Sequence, residues 1–308
     1  MDLTIIGLAT VNGILLGGLY GAVALGLSLI FGVMRVINFA HGSFLMGGMF
    51  IPFWLWHFWG LNPYWAVFLT APALFLFGYF IQSTVLSALF NRERSMVVEP
   101  LSVLLVTAGI GLILDNLALI LFGPNFRAVK IDFASTTFQL GMLTVNNTRL
   151  LALLASIGIT LALSYFLSST DLGRSIRATS QNREAAALAG INVPRIYNIT
   201  FGVGCAVLGI VGCFMLPFYY VSPGVGMAFG IRSFIVVVLG GIGSIPGSIF
   251  GGMILGIVES VAGQFVTATS ATIFSFIIFI LVLFFRPKGL FTPGTSKKRE
   301  VTEDVAID

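Results

Sequence analysis

Charged residues are scarce in this sequence. Asp, Glu, Lys and Arg make up 9% of the 308 residues, whereas 57% are hydrophobic and the mean hydropathy is +1.02. Such a chain cannot present a charged surface to water on all sides, which excludes an ordinary soluble domain. The polar and apolar alternation of barrel strands is also missing. Long apolar runs therefore predict an all-α, polytopic helical membrane protein with about 8–10 transmembrane segments.

Several functional groups are missing as well. Cys205 and Cys213 lie on one predicted helix about 12 Å apart by helical rise, too far for a disulfide. Neither His41 nor His57 has a partner at metal-ligand spacing, so no metal site is expected. No GxxxxGK[ST] loop for ATP occurs, and no motif assembles catalytic residues. The net charge of +4 comes from separate loops, which argues against nucleic-acid binding.

The apolar runs define the organisation of the chain. The first run has no basic segment before it and is too long for a signal-peptide core, so we predict an uncleaved span. Residues 1–290 are expected to form one transmembrane domain, with polar connections at 91–99 and 169–196, an external loop at 123–147 and a polar tail at 291–308. The runs fall at about 3–33, 37–59, 62–90, 100–122, 148–168, 197–220, 231–262 and 268–285.

Basic residues predict the orientation. Placing both polar connections and the tail in the cytoplasm collects twelve Lys and Arg residues there and leaves four outside, in accord with the positive-inside rule. The N-terminus then faces outward and the C-terminus faces the cytoplasm. The inner residues are Arg35, Arg92, Arg94, Arg174, Arg177, Arg183, Arg195, Arg286, Lys288, Lys297, Lys298 and Arg299, and the outer ones are Arg127, Lys130, Arg149 and Arg232.

The stretch "GGIGSIPGSIFGGMILG" interrupts the run at 231–262. With residue 220 outside and residue 286 inside, an odd number of crossings is needed between them. We therefore predict two half-spans, 231–242 and 248–262, that meet at "GSIPG", where Gly243, Ser244 and Gly247 could line a translocation path. The alternative is tight helix packing, since the glycines have the spacing of small residues at helix contacts, in the two sets Gly243, Gly247, Gly251 and Gly252, Gly256. Both interpretations can hold together.

The first half of the chain holds a comparable segment. Gly13, Gly17 and Gly21 form a ladder with the same spacing, followed by "MRVINFAHGSFLMGGMFI". Its "GSFLMGGM" is similar to "GSIFGGM" at 247–253, as expected of an inverted repeat in a transporter. Glycine-rich hydrophobic sequence also produces such matches by chance.

Three motifs in order carry a family resemblance. "GLSLIFGVMRVINFAHGSFLMGG", "VVVLGGIGSIPGSIFGG" and "RPKGLF" together resemble the branched-chain amino acid ABC transporter permeases of the LivH type. The resemblance implies a permease subunit of an ATP-driven importer in the bacterial inner membrane, which works by alternating access. It also implies two cytoplasmic ATPase subunits that hold ATP and Mg, a second homologous permease subunit and an external substrate-binding protein. No cofactor is expected on this chain itself.

The cytoplasmic connection carries a candidate coupling motif. "EAAALAG" matches the core of the loop by which importer permeases of this class engage their ATPase, with Glu184, Ala185, Ala186 and Gly190 at the expected spacing. Alanines make a short helix of little bulk that could seat in a groove of a partner. Arg177 and Arg183 are expected at its rim. An ordinary surface helix between two spans is the alternative.

Polar residues inside the runs are candidates for the path or for subunit contacts. Asp115 and Asn116 interrupt one span, and Glu259 interrupts another. The alternatives are a structural hydrogen bond for Asp115 and Asn116, a position near the outer interface for Asp115, and an interfacial position for Glu259.

The "NFAHG" segment supplies the other polar candidates, Asn38, His41 and the adjacent Gly42. If the segment is helical, Arg35, Asn38 and His41 share one face. An interfacial turn with satisfied side chains is the alternative.

The external loop 123–147 is the candidate docking surface for the binding protein. Arg127, Lys130 and Asp132 would pair with that protein or else stay solvated. Two other classes remain open, an ion-coupled secondary transporter and a channel for a small polar solute such as urea or amides. A secondary transporter would usually carry several carboxylates deep in its spans.

Overall fold

The computed structural model describes residues 3–92, 100–131, 133, 136–140 and 143–291. Most of the 91–99 connection and the tail beyond Phe291 lie outside the described residues. A π-helical segment, Gln82–Leu86, joins α3 to α4. The helices are α1 (Leu3–Met34), α2 (His41–Trp59), α3 (Val67–Ile81), α4 (Ser87–Arg92), α5 (Pro100–Phe122), α6 (Asn147–Ser169), α7 (Asp171–Gln181), α8 (Arg183–Leu188), α9 (Val193–Met215), α10 (Val225–Gly240), α11 (Ile245–Ala262) and α12 (Ala268–Phe285).

The architecture is that of a polytopic helical membrane protein, as predicted. Within the described ranges, six helices are long and apolar enough to cross a membrane, and α10 and the 270–285 part of α12 are shorter apolar helices. The one departure from an all-α chain lies in the external loop. There β1 (Thr137–Leu140) pairs antiparallel with β2 (Leu143–Asn146), so this loop is a hairpin that leads directly into α6.

The central helix is α1, which contacts α6, α7, α9, α10 and α11. Along the most hydrophobic part of α1, 78% of the residues are buried, against 28% for α6. Helix α11 runs antiparallel beside it, because Gly13 lies against Ile257, Gly17 against Met253 and Gly21 against Ile249. A Cβ atom at Gly17 would stand 2.5 Å from the carbonyl oxygen of Gly252. The packing interpretation of these glycines is therefore confirmed.

The chain does reverse direction between α10 and α11, but not in mid-membrane. The turn has positive φ at Gly241 (96°) and Gly243 (77°), a conformation that glycine adopts without strain. Ser244 caps α11 by accepting a hydrogen bond from the N–H of Gly247 (3.1 Å). The N–H of Leu290, past the end of α12, donates to the carbonyl of Leu239 (2.8 Å). The turn thus lies level with the end of α12.

The two helical pieces predicted to meet at "GSIPG" are present, but they are longer than the predicted half-spans 231–242 and 248–262. Helix α10 begins at Val225 and has 16 residues, and α11 has 18, so both approach the length of a full crossing. The N–H and C=O groups of the turn lie at the end of the bundle. At that position they avoid the free-energy cost of an unpaired peptide group in lipid. Helices α10, α11 and α12 make three crossings between residues 220 and 286, which is an odd number, as the predicted orientation requires.

A true interruption inside the bundle lies between α1 and α2. His41, the first residue of α2, bonds through its Nε2 to the carbonyl of Val23 (2.8 Å). Val23 precedes the end of α1 by three turns, about 16 Å of helical rise. Residues 35–40 therefore run back into the bundle as a non-helical segment that ends in a turn at residues 39 and 40, and the helical face predicted for Arg35, Asn38 and His41 does not exist.

The exposed backbone of this interruption has side-chain partners. Thr107 of α5 accepts from the N–H of Phe39 (3.2 Å) and donates to the carbonyl of Ile37 (3.4 Å). The Asn38 side chain accepts from the N–H of Ala40 (3.1 Å). Irregular backbone is tolerated at membrane depth only when it is satisfied in this way.

The connections separate into two ends of the bundle. The end of α1, the 241–244 turn and α7 line one cavity together. At the other end, the side chain of Asn12 accepts a hydrogen bond from Arg149 (3.3 Å), and β2 contacts α1. The 169–196 connection and the external loop, predicted to lie on the inner and outer sides, are therefore at opposite ends of the bundle.

The glycine contact between α1 and α11 can be tested with Gly252→Ala. A Cβ atom there would collide with the backbone of Gly17 and Gly21. We expect a loss of about 1–3 kcal/mol in the free energy of unfolding, because α1 and α11 would have to separate. Gly158→Ala in α6 is the control, since its Cβ would meet no atom within 4 Å. Reversible unfolding in mixed micelles measures both, and equal stabilities for the two variants would contradict the assignment.

Candidate functional site

A cavity of about 450 Å³ opens where the interruption meets α5 and α10. It brings together three of the predicted path residues, Asn38, Gly42 and Asp115. Gly42 allows the contact of α2 with α10, because a side chain there would collide with the carbonyl of Gly226. The remaining wall is mostly apolar and comes from Leu27, Ile37, Phe39, Ala108, Leu112, Met227, Ile231 and Phe234.

Two polar atoms of this cavity are buried without a hydrogen-bond partner. One is the amide nitrogen Nδ2 of Asn38, a residue only 3% exposed, and the other is Oδ1 of Asp115. Buried polar groups in proteins are nearly always paired, so an unpaired donor and an unpaired acceptor in one apolar cavity point to a missing partner. Asn38 and Asp115 therefore both border the cavity, and each keeps one buried polar atom without a partner.

The other candidates from the first half lie outside this cavity. Asn116 donates to the carbonyl of Leu112 one turn earlier on its own helix (2.8 Å). His41 is 1% exposed and ties the start of α2 to α1 through Val23. Asn116 therefore makes the structural hydrogen bond that was the alternative, and His41 positions the interruption.

Glu259 is the centre of a polar cluster between four helices. Both of its carboxylate oxygens accept from Nε of Arg232 in α10 (3.1 Å each). Tyr20 of α1 donates to Oε2 (3.0 Å), and Ser275 of α12 donates to Oε1 (2.8 Å). The Glu259 side chain is 11% exposed and that of Arg232 is 19% exposed. The cluster joins α1, α10, α11 and α12.

This cluster corrects two sequence-based expectations. Glu259 does not extend to the interface, and Arg232 is not a residue of an outer loop, because it lies eight positions into α10. The sequence signal for this ion pair was that two neighbouring apolar segments each carry one charge, of opposite sign. Pairing is the physical reason, since a lone charge in a membrane helix costs several kcal/mol.

The glycines of the Gly/Pro stretch have two roles, helix packing and the lining of a second cavity. Gly247 packs against Gly240, where a side chain would collide with the Gly240 carbonyl. Gly243 and Ser244 line a second cavity, of about 980 Å³, at the end of the bundle that holds α7. The structure does not bring these three residues to the cavity around Asp115.

The candidate coupling motif forms α8. Asn182 caps it by accepting from the N–H groups of Glu184 and Ala185 (3.0 Å each), and Gly190 terminates the turn after it with φ 84°. Ala186 is buried, whereas Glu184, Ala185 and Gly190 are exposed. Sequence reasoning missed Leu188, which is 91% exposed at the end of α8. Its position on the face opposite Ala186 was the available signal.

The two arginines expected at the rim of α8, Arg177 and Arg183, have different surroundings. The guanidinium of Arg177 donates to the carbonyls of Leu167 and Ser168 at the end of α6. Arg177 therefore caps α6, where a cation is favourable at the negative end of the helix dipole. Arg183 is the first residue of α8 and is half-buried.

Arg127 anchors the external loop to the helices of the bundle. The guanidinium of Arg127 stands 5.0 Å from the ring centroid of Trp54 and donates to the carbonyl of Phe122. Backbone bonds also join Arg127 to Val221 (2.9 and 2.7 Å). Lys130 is exposed, and Asp132 lies outside the described residues. Arg127 therefore holds the loop against the bundle.

Comparisons with known proteins agree with the architecture. The family described as the permease component of branched-chain amino acid transport systems matches residues 9–285. The chain is 30% identical over 295 residues to the high-affinity branched-chain amino acid transport system permease protein LivH of Escherichia coli K12, with 91% of this chain and 93% of that protein covered. It is 30% identical over 294 residues to the corresponding protein BraD of Pseudomonas aeruginosa, with 91% and 94% covered. The fructose import permease protein FrcC of Rhizobium meliloti is 34% identical over 148 residues, 44% of this chain and 35% of that protein.

The Glu259 cluster is tested by Glu259→Gln. The amide can keep hydrogen bonds to Tyr20 and Ser275 but leaves Arg232 as an uncompensated buried charge, so we expect a loss of about 3–5 kcal/mol in unfolding free energy. Asp171→Asn is the matched control, because its ion pair with Arg174 is exposed and should contribute no measurable stability. Unfolding in mixed micelles compares the two. An unchanged stability for Glu259→Gln would show that the pair is not buried as described.

Proposed function

The chain belongs to the family of branched-chain amino acid transport permeases, and we propose that it is the membrane-spanning subunit of an ATP-driven importer for branched-chain, hydrophobic amino acids. The importer moves its substrate inward by alternating access. The observation that carries this proposal is the cavity around Asn38 and Asp115. Its location beside the interruption in the bundle is typical of transport proteins, where irregular backbone lines a cavity.

The cavity chemistry fits an amino-acid zwitterion with an aliphatic side chain. The unpaired carboxylate oxygen of Asp115 suits an α-ammonium group, and the unpaired amide of Asn38 suits an α-carboxylate. The apolar wall suits a branched hydrocarbon side chain. A neutral solute such as urea or an amide would leave the charge of Asp115 without a counterion, which favours the amino acid over that alternative.

An ion-coupled secondary transporter is less well supported by the carboxylates. Glu259 is neutralised by Arg232. Of the two intramembrane carboxylates, Asp115 alone is then left without a counterion. Ion-coupled transporters usually have several such carboxylates. The proposed energy source is therefore ATP hydrolysis, with ATP and Mg held by two cytoplasmic ATPase subunits.

Helix α8 is proposed as the contact with one ATPase subunit. It presents Leu188 and Glu184 outward, while Ala186 anchors it. Helix α7 precedes it in the chain and contacts α1, α6 and α9. A displacement of α8 would therefore reach α1, which contributes Leu27 to the cavity wall.

The remaining partners complete the proposed assembly in the bacterial inner membrane, with the N-terminus outside and the C-terminus in the cytoplasm. Leu112 and Met227 at the edge of the cavity are 65% and 70% exposed, so we place the second, homologous permease subunit against α5 and α10. The external binding protein is placed over the hairpin loop.

An inverted repeat stays a prediction, although "GSFLMGGM" and "GSIFGGM" each lie in the first turns of a helix that follows an interruption.

The substrate cavity is tested with Asp115→Asn. Losing the charge that faces the ammonium group should lower the initial uptake rate of leucine roughly tenfold, since a charged hydrogen bond contributes about 1.5–3 kcal/mol. Asn116→Ala is the control, because its amide bonds its own helix outside the cavity. Uptake of radiolabelled leucine into cells that produce equal amounts of each protein gives the comparison. Similar rates for Asp115→Asn and the wild type would remove Asp115 from the path.

The coupling surface is tested with Leu188→Glu. A carboxylate in place of an apolar contact should reduce ATP-dependent uptake roughly tenfold, as expected for an anchor at the centre of an interface. Copurification of an ATPase subunit should fall with it. Leu172→Glu is the matched control, since Leu172 is exposed on α7 and the same charge is introduced. Full uptake by Leu188→Glu, or uptake in liposomes without ATP, would contradict the importer proposal.

A further inference from the structure

The second cavity has a composition of its own. It measures about 980 Å³ and lies between the ends of α1 and α6, the helix α7 and the turn that leads into α11. Two of its lining residues are arginines, Arg35 and Arg177, and none is acidic. An electropositive cavity between membrane helices at the end of a bundle is suited to an anion.

Arg35 occupies a strained backbone position. Its φ is 56°, the only positive φ at a non-glycine residue in the described part of the chain. Glycine would adopt this conformation freely, and a long cationic side chain does not. Strain of this kind concentrates at functional sites, where the side chain has a use that offsets its cost. The guanidinium of Arg35 borders the cavity and has no hydrogen-bond partner among the described residues.

Arg177 is held rigidly on the opposite wall. Its bonds to the carbonyls of Leu167 and Ser168 use only part of the donors of the guanidinium. The remaining N–H groups are available to a ligand in the cavity. Ser244, the N-cap of α11, lines the same cavity, so the positive end of that helix dipole adds to the field.

An unpaired hydroxyl gives an independent indication of a ligand. Ser28 of α1 is 0% exposed, lines this cavity, and its Oγ has no hydrogen-bond partner. A buried hydroxyl without a partner carries a desolvation cost that a bound acceptor would remove. Ser28, Arg35 and Arg177 therefore all border one space.

We infer that this cavity binds a phosphate anion. Guanidinium groups match the oxygen geometry of phosphate in two-point contacts, and a hydroxyl donor adds a third. The phosphate can belong to the headgroup of an anionic phospholipid or to inorganic phosphate from solution. Leu29, Phe31 and Val33 on the wall would accept the glycerol and the first acyl carbons of a lipid. A bound phosphate would link the end of α1 to α7, which precedes the coupling helix.

The test uses the purified full-length protein and native mass spectrometry with phosphatidylglycerol, phosphatidylcholine or inorganic phosphate added separately. Arg35→Gln keeps the backbone strain and removes the charge, and we expect roughly tenfold weaker retention of the bound anion. Arg35→Gly relieves the strain, so it folds at least as well and should lose the same binding. Arg195→Gln is the control, because Arg195 is an exposed residue that does not line the cavity.

Each outcome decides the inference. Loss of phosphatidylglycerol with both Arg35 variants but not with Arg195→Gln supports a lipid headgroup. The same pattern with inorganic phosphate alone supports a soluble anion. Equal losses in all three variants would indicate diffuse surface charge and overturn the site. Retention by the wild type that neither Arg35 variant changes, or no retention of either anion, would overturn it as well.

Discussion

The close approach of α1 and α11 organises the bundle. Lipid tails are as apolar as leucine, so helices in a membrane gain little from hydrophobic burial against each other and associate through packing at short range. Glycines on both helices, among them Gly13, Gly17, Gly252 and Gly256, let the two backbones meet directly. The turn at 241–244 is then brought beside Gly32, near the end of α1. One contact thus determines where α10, α11 and α12 lie.

The candidate substrate cavity depends on that arrangement. Because α10 is placed beside α1, its glycine at position 226 meets Gly42 at the start of α2. Helix α2 can begin at that depth only because residues 35–40 return into the bundle and bond to Thr107 of α5. The cavity with Asn38 and Asp115 is the space left where these pieces meet.

Charges in the bundle follow the same packing. Arg232 and Glu259 are 27 residues apart in the chain, yet they neutralise each other because α10 and α11 are antiparallel neighbours. Asp115 keeps an unpaired oxygen in its cavity and Arg35 borders another. Paired charges join helices, whereas Asp115 and Arg35 lie at the borders of cavities. This division separates the structural polar residues from those proposed to bind ligands.

The sequence by itself determined the properties that are local. Hydropathy located nearly every membrane helix, and the glycine spacing at 13, 17 and 21 identified a packing face. The reversal at 241–244 also followed from glycine and from parity of crossings. The short helix α8 followed from the alanines of the motif at 184–190.

Only the tertiary structure decided what lies next to what. It placed the turn at the end of the bundle, paired Arg232 with Glu259, and directed Arg177 to the end of α6. It also joined Asn38 to Asp115 while turning Asn116 away. These outcomes depend on helix contacts between residues far apart in the chain, and a uniformly apolar sequence has too weak a periodicity to predict which face of each helix makes them.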